Sequence, residues 1–403
     1  MRRTVSLLLL SILLLSVPGR TQQTRQTPQT PQKKEIVVWH SYQGAARLAF
    51  EKVVESYRGK GGWRAAAVAM PADLLASRAA SMIPRGEGPD LFLYTQDRLG
   101  SWVEAGKIVE PLAPDSRMRA RFLPGCWDAM AYRGKVYGVP LDVRVLALFF
   151  NRSLLPEAPL SSKEMATQAK RLTSPELGKF GLATWYTDFY YHAPLMHAYG
   201  GRVFDDSGEP TLNAVPNVKS VSLLRSWLRQ GFLPAGPTTT LITSLFNEGK
   251  LGMVIAGPSF AQDIAPSVPF AVAPLPVVDE AGGKPMRPWM TVQGVHLAAT
   301  SRNKAAALDL ALYLTDLPAG VTLAVEGRLL PAHAGVYLDG KVTGDLVMQG
   351  FRRQLDSAVP LPNLPGVNRI WGPLARALEA VAERRLLPRD ALDQAQREIL
   401  QDR

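Results

Sequence analysis

An apolar run at Leu91-Phe92-Leu93 is followed directly by Tyr94, Thr95, Gln96, Asp97 and Arg98. An aromatic ring, a carboxylate and a guanidinium therefore gather where a core strand ends. In open α/β sheets, ligands bind in the crevice beyond the carboxyl ends of the strands, so Tyr94, Asp97 and Arg98 are candidates to line one. A ring beside an acid and a base suits a sugar, which presents C–H faces and hydroxyl edges. The plainer alternative is that Asp97 and Arg98 form a surface pair near a helix start, which contributes little. A second cluster, Tyr186-Thr187-Asp188-Phe189-Tyr190-Tyr191-His192, puts three tyrosines, a phenylalanine, an acid and a histidine at a strand-to-helix junction. Buried as plain core, those hydroxyls would each require a partner, and lining of a binding site is the favoured reading.

Several other chemistries are not supported. The chain has one cysteine, Cys126, so an internal disulfide framework is excluded, and no CxxC or HExxH spacing marks a metal site. No cofactor is expected. Gly257-Pro258-Ser259-Phe260-Ala261 falls one glycine short of a Gly-x-Ser-x-Gly elbow, and no histidine is placed by sequence as its base, so Ser259 is not read as a nucleophile. The formal net charge of +11 is concentrated at the start: Arg2, Arg3, Arg20, Arg25, Lys33 and Lys34 precede the first acid, Glu35. The rest of the chain is only mildly basic, which gives no reason to expect nucleic acid as a partner.

The elements that must position these groups follow in order. Residues 1–19 read as a secretory signal peptide, with two arginines before an apolar core shorter than a membrane-spanning helix needs. Residues 20–34, rich in Thr, Gln and Pro, read as a flexible linker. With no cysteine near the leader, a lipoprotein is not expected, and the location is periplasmic or extracytoplasmic. Ile36-Val37-Val38-Trp39 is strand-like. It leads through His40 to Gln43 into a helix whose Phe50, Val53, Val54 and Tyr57 form an apolar stripe. Strand, polar loop and helix in that order begin an α/β domain. The run from Val136 to Asn151 exceeds one usual strand and is read as passing from one sheet or domain into another, with 143 to 147 as a hinge strand. Helices are expected at 162–172, 218–230, 305–314, 317–326, 346–355, 367–385 and 389–400. Strands are expected at 180–185, 251–256 and 292–299, with 274–290 as a loop.

From Glu35 onward the chain resembles the extracellular solute-binding proteins of ABC importers, close to the maltose-binding branch. The resemblance rests on Gly88-Pro89-Asp90 with Asp97-Arg98, Trp127-Asp128-Ala129 with Tyr132-Arg133-Gly134-Lys135, and Asn151-Arg152-Ser153-Leu154-Leu155-Pro156. It continues through Phe246-Asn247-Glu248-Gly249, Met253 to Pro258, Asn303-Lys304, Pro362-Asn363-Leu364-Pro365 and Trp371. It implies an α/β, two-lobed, type II periplasmic binding fold in which each lobe is a mixed sheet flanked by helices and the ligand lies between lobes. The N-terminal lobe would comprise 35–142 and 295–340, and the C-terminal lobe 147–290 and 347–403. Hinges would fall near 143–146, 291–294 and 341–346.

By position, the resemblance makes Tyr94 a stacking ring, Asp97 and Arg98 a sugar-hydroxyl pair, Asp188 and Tyr190 an acid and ring of the second lobe, and Trp371 another ring. Ser41, Tyr42, Arg144 and Ser259 complete the expected ligand-binding set. At three places the chain departs from the maltose branch. Arg144 stands where a glutamate is expected, Ser259 where an indole is, and Thr239 where a tyrosine is; the 40–43 loop also lacks an expected lysine. Arg144 would favour a different stereochemistry or an anionic sugar, or else form a salt bridge in the cleft. The implied function is a monomeric, non-enzymatic receptor that closes on a mono- or oligosaccharide of maltodextrin or trehalose type and delivers it to a membrane permease. The alternatives are a binding protein for another solute, or a secreted glycosidase using Asp97 and Asp188 as acid and base. Against the last, Arg98 is expected to lower the pKa of Asp97 and spoil it as an acid.

Overall fold

The computed structural model describes residues 34–401; the expected leader and most of the expected linker lie outside them. The chain enters at β1 (Glu35–His40), whose inward residues Ile36 and Val38 are fully buried. Helix α1 (Gly44–Ser56) buries the stripe expected of it, with Ala49, Phe50, Val53 and Val54 against the sheet. After β2 (Arg64–Ala69) and β3 (Leu91–Thr95), helix α2 (Leu99–Ala105) leads towards β4 (Val139–Arg144).

The long apolar run does divide. β4 belongs to one sheet, and after Val145 and Leu146 the chain resumes as β5 (Ala147–Asn151) in another. The second sheet adds β6 (Phe180–Ala183), β7 (Leu251–Ala256) and β8 (Phe270–Ala273) in the order β8-β5-β7-β6, with β6 parallel to β7 and the other pairings antiparallel.

The chain returns through β9 (Trp289–Leu297), β10 (Leu330–Pro331) and β11 (Val359–Pro360). The larger sheet is ordered β10-β4-β9-β3-β1-β2, with β11 parallel to the first residues of β9. The β1–β2 and β1–β3 pairings are parallel, and β9 runs antiparallel to both β3 and β4. β11 lies within the range expected for the second lobe, and it pairs Val359 with Trp289 at the start of β9, a strand of the larger sheet. One apolar core is continuous from the larger sheet to the smaller, including Val38, Leu93 and Val292 on one side and Phe149, Val272 and Phe351 on the other.

Some expected elements shift. The 274–290 loop contains a small hairpin, Val277–Val278 against Lys284–Pro285, turned by Gly282 and Gly283, both at φ 72°. The returning strand begins at Trp289 rather than Val292, because Trp289 and Met290 bury their side chains and pair with β11. The last helical pair is α9 (Trp371–Ala382), preceded by a separate 3-10 turn at Val367–Arg369, and α10 (Pro388–Gln401). Between α2 and α9 the structure holds α3 (Ser162–Leu172), α4 (Phe189–Ala198), α5 (Val215–Arg229), α6 (Lys304–Leu314), α7 (Leu317–Val325) and α8 (Leu346–Leu355). α8 packs closely on β8, since a Cβ at Gly350 would lie 2.4 Å from the Val272 carbonyl.

Candidate functional site

The first side of the site is built at the ends of β1, β3 and β4. β3 ends in a 3-10 turn, Gln96–Arg98, and the fully buried Gln96 holds it in place. Its amide donates to the carbonyls of Met290 (3.1 Å) and Leu361 (3.3 Å), and its carbonyl accepts from Val292 N (2.8 Å). Asp97 is thereby set at the rim, accepting from the Thr95 hydroxyl, while its own carbonyl accepts from Asn368 (3.2 Å). Gly100 lets the Asn363-Pro365 loop approach: its N–H donates to the Asn363 carbonyl (3.0 Å), and a Cβ there would lie 2.3 Å from that oxygen. Tyr94 packs edge-on to Trp102 at 5.1 Å and is mostly covered, so that little of its ring faces the cleft.

Burial pushes the Asp97 carboxyl above the ordinary carboxylate range, outweighing the Thr95 hydrogen bond and the Arg98 and Arg144 charges. That reverses the direction expected from Arg98 alone. Desolvation at the strand end is the larger effect.

At the neighbouring strand ends, Tyr42 is buried and its hydroxyl donates to Asp142, which is 1% exposed. Desolvation raises both groups' pKa values. Tyr42 thus lines the cavity beside Ser41, but its hydroxyl is already engaged. The second oxygen of Asp142, Oδ1, is buried with no hydrogen-bond partner. Arg144, two residues on, is exposed and makes no ion pair within 4.0 Å among the described residues, so the salt bridge expected as its alternative role is not formed. Its charge acts on Tyr42, Asp97, Asp142 and Tyr190 alike, which places it at the meeting point of the two sides.

The second side carries Asp188 at the N-cap of α4, accepting from Tyr190 N (2.9 Å), and its carboxyl is pushed up by desolvation. The Tyr190 hydroxyl lies 3.3 Å from both the Trp289 carbonyl and Thr291 Oγ1. Thr291 is the register partner of Arg144, so Tyr190 reaches the paired strands β4 and β9 of the larger sheet. Trp371, at the start of α9, meets Trp289 edge-to-face at 5.6 Å. Asp188, Tyr190 and Trp371 line one concavity of about 480 Å³. Ser41, Tyr42, Arg144 and Ser259 line another of about 440 Å³. Thr239 begins a separate helix and lines neither.

Asp142, Gln262 and Arg328 also line the second concavity and were not singled out from sequence. Asp142 did carry a signal, since a carboxylate inside an unbroken apolar strand demands a partner. Arg328, after α7, has none that is local. Trp185, tilted against Tyr191 at 4.9 Å, extends the aromatic content of the second side.

Many motif residues serve the scaffold instead. Asp90 accepts from Val37 N (3.1 Å), Ser301 (2.6 Å) and Asn303 (3.2 Å). Asn247 spans the Asp263 carbonyl and Ala265 N, both at 2.9 Å, and Asn363 donates to the Ala129 and Ala131 carbonyls. Among the described residues no cluster of His, Cys, Asp or Glu is arranged to hold a metal ion.

A two-lobed fold with polar and aromatic groups gathered where its sheets adjoin defines a class of ligand-binding proteins. The bacterial extracellular solute-binding protein family model matches residues 52–349, and the chain belongs to that family. It is 26% identical to the maltotriose-binding protein of Pyrococcus abyssi over 362 residues, covering 86% of this chain and 77% of that one. It is 28% identical to the galactooligosaccharide-binding protein of Bacillus subtilis over 326 residues, covering 77% and 76%. Among solved structures, a cyclo/maltodextrin-binding protein complexed with maltotetraose superposes with a TM-score of 0.85 at 27% identity, covering 93% of this chain and 98% of that one.

Proposed function

We propose that this protein is the receptor of an ABC-type sugar importer, binding an oligosaccharide between its lobes and passing it to a membrane permease. The observation that carries the reading is that the Arg144 charge acts both on Asp97 of the larger sheet and on Tyr190 of the second side, where Tyr190 shares a concavity with Asp188 and Trp371. Carboxylates accept from sugar hydroxyls, guanidinium groups donate to them, and rings cover C–H faces. The names of the relatives support sugar as the cargo class. The lobes are taken as 35–142 with 295–340 and 147–290 with 347–403. The passage from β4 to β5 and the register shift at Gln293/Gly294 support hinges at 143–146 and 291–294; a third is taken at 341–346. Ligand that touches both lobes favours the closed arrangement by its differential affinity for it, and no bond need be made or broken.

The family supports export and a role as a binding protein rather than an enzyme. A thermal-shift panel of maltose, maltotriose, galacto-oligosaccharides, trehalose and uronic acids is the test, because a ligand bound only by the folded state raises its melting temperature. A hit lost in Asp97→Ala and Trp371→Ala, with the sugar recovered intact by chromatography, is expected. Turnover of the sugar would overturn the receptor reading in favour of a hydrolase, and no hit would overturn sugar as cargo.

A further inference from the structure

A mostly apolar cavity of about 340 Å³ lies against the concavity that holds Arg144. Pro258, Gln262, Arg328 and Leu330 line both spaces, so the two meet along those residues. The rest of the cavity wall is Ala261, Phe270, Asp345, Val347, Met348 and Phe351. Leu330 comes from β10 of the larger sheet, Phe270 from β8 of the second, and Val347, Met348 and Phe351 from α8. An occupant therefore touches both sides, as a group that favours closure must.

The charged groups of this cavity are already paired. Arg328 donates to Asp345 at 2.7 Å, and the same carboxyl group caps α8 by accepting from Met348 N at 3.0 Å. Arg328 makes that pair from a left-handed backbone, φ 54°, which a residue other than glycine adopts at a cost. What is left facing the space is apolar, and its two rings are held by a third: the centroid of Phe149 lies 5.9 Å from that of Phe270 and 5.7 Å from that of Phe351. Nor is the hollow a product of slack packing, since α8 presses on β8 so closely at Gly350 that a Cβ would meet the Val272 carbonyl. An apolar space of about 150 Å³ is enough to take a benzene ring. At the boundary with the Arg144 concavity, the side-chain amide of Gln262 has no hydrogen-bond partner among the described residues and can meet a polar linkage that crosses from one space to the other.

Resting on the sugar-receptor reading, we propose that the cargo is a glycoside bearing an apolar aglycone, an aryl or short alkyl group, with the sugar in the Arg144 concavity, the aglycone in this cavity and the glycosidic oxygen at Gln262. A further sugar ring in the cavity would set its hydroxyls against Phe270, Met348 and Phe351, which offer them no partner. An aryl or alkyl group loses only water there and gains contact with the same side chains.

Isothermal titration of the full chain tests this with the methyl, butyl and phenyl glycosides of glucose, galactose and maltose in both anomeric forms, and with maltotriose and phenol as references. For the sugar that binds, the phenyl glycoside is expected to bind at least about tenfold tighter than the methyl glycoside, as burial of a ring requires, with butyl between them. The gain should come with a more negative heat-capacity change and depend little on salt. Ala261→Phe and Val347→Phe, which fill the cavity from opposite walls, should each bring the phenyl-to-methyl ratio down to about one; melting without ligand checks that both variants fold. Trp371→Ala should leave the ratio in place.

Equal binding of the phenyl and methyl members would overturn the inference and leave the sugar receptor standing. Phenol binding as tightly as the phenyl glycoside would overturn it too, since the cavity would then be a site separate from the sugar. A preference that survives both filling variants, or that is lost in Trp371→Ala, would place the aglycone elsewhere and likewise overturn it. Failure of every probe, maltotriose included, would overturn both readings.

Discussion

Replacing Gln96 by alanine removes a side chain that makes three buried hydrogen bonds, to Met290, Val292 and Leu361, residues 194 to 265 positions away in sequence. Met290 keeps a second donor, because Leu361 N already bonds its carbonyl at 3.0 Å. Two groups are therefore stranded: the Val292 N–H and the Leu361 carbonyl. A buried group left without its partner costs about 1–3 kcal/mol. With Gln96 fully buried and the interior around it close-packed, Gln96→Ala is expected to cost about 3 kcal/mol or somewhat more. Urea unfolding followed by tryptophan fluorescence measures this, with the exposed Gln394→Ala as the control, expected to lie within about 0.5 kcal/mol of the parent. Because Gln96 also sets the turn bearing Asp97, sugar affinity should fall about tenfold, equivalent to about 1.4 kcal/mol. A loss of stability below about 1 kcal/mol would refute the hydrogen-bond reasoning. A full loss of stability with unchanged affinity would refute the claim that this anchor positions the site.

Gly100→Ala places a methyl 2.3 Å from the Asn363 carbonyl and 2.8 Å from Pro365, so it should push the 363–365 loop away and weaken sugar binding several-fold, which titration would show; unchanged affinity would separate that loop from the site. Trp371→Ala removes a cleft ring from a side chain that also packs on Trp289, and about tenfold weaker binding is expected, with a smaller effect on unfolding. His192, buried and bonded to Ser220 at 2.9 Å, has its pKa lowered from 6.5 to about 3 by desolvation. The folded state thus holds it neutral where the unfolded chain takes up a proton. Its contribution is complete above about pH 6.5 and is lost as pH falls towards 3, by about 1.4 kcal/mol per unit. Urea unfolding at pH 7 and pH 5 should show a slope to which His197, His40, His296 and His333, also held neutral by burial, add in the same sense, and His192→Gln should reduce it by about 1.4 kcal/mol per unit.

Much of this architecture is legible along the chain because it is local. The stripe of Phe50, Val53, Val54 and Tyr57 determines which face of α1 is buried, and helices α3 and α8 occupy the residues expected of them, from 162 to 172 and from 346 to 355. The apolar run through Val139 to Asn151 is too long for one strand, and its division between two sheets follows from that length. Tyr94, Asp97, Arg98, Asp188 and Tyr190 stand out from sequence because polar and aromatic groups cluster at strand ends and helix starts.

Only the tertiary structure decided what these groups meet. Asp142 looks like one acid in an apolar strand until the fold brings Tyr42, 100 residues away, to one of its oxygens and leaves the other bare. Asp97 was expected below the usual carboxylate range because Arg98 is its neighbour in sequence. Its environment is set by burial, which depends on every segment packed around it, and burial prevails. Arg328 has no local mark at all and reaches the cleft because β10 joins β4. Hydrophobic periodicity is a property of a dozen consecutive residues and can be read along a chain. Desolvation and charge pairing depend on which distant segments share a space, and those are decided when the sheets assemble.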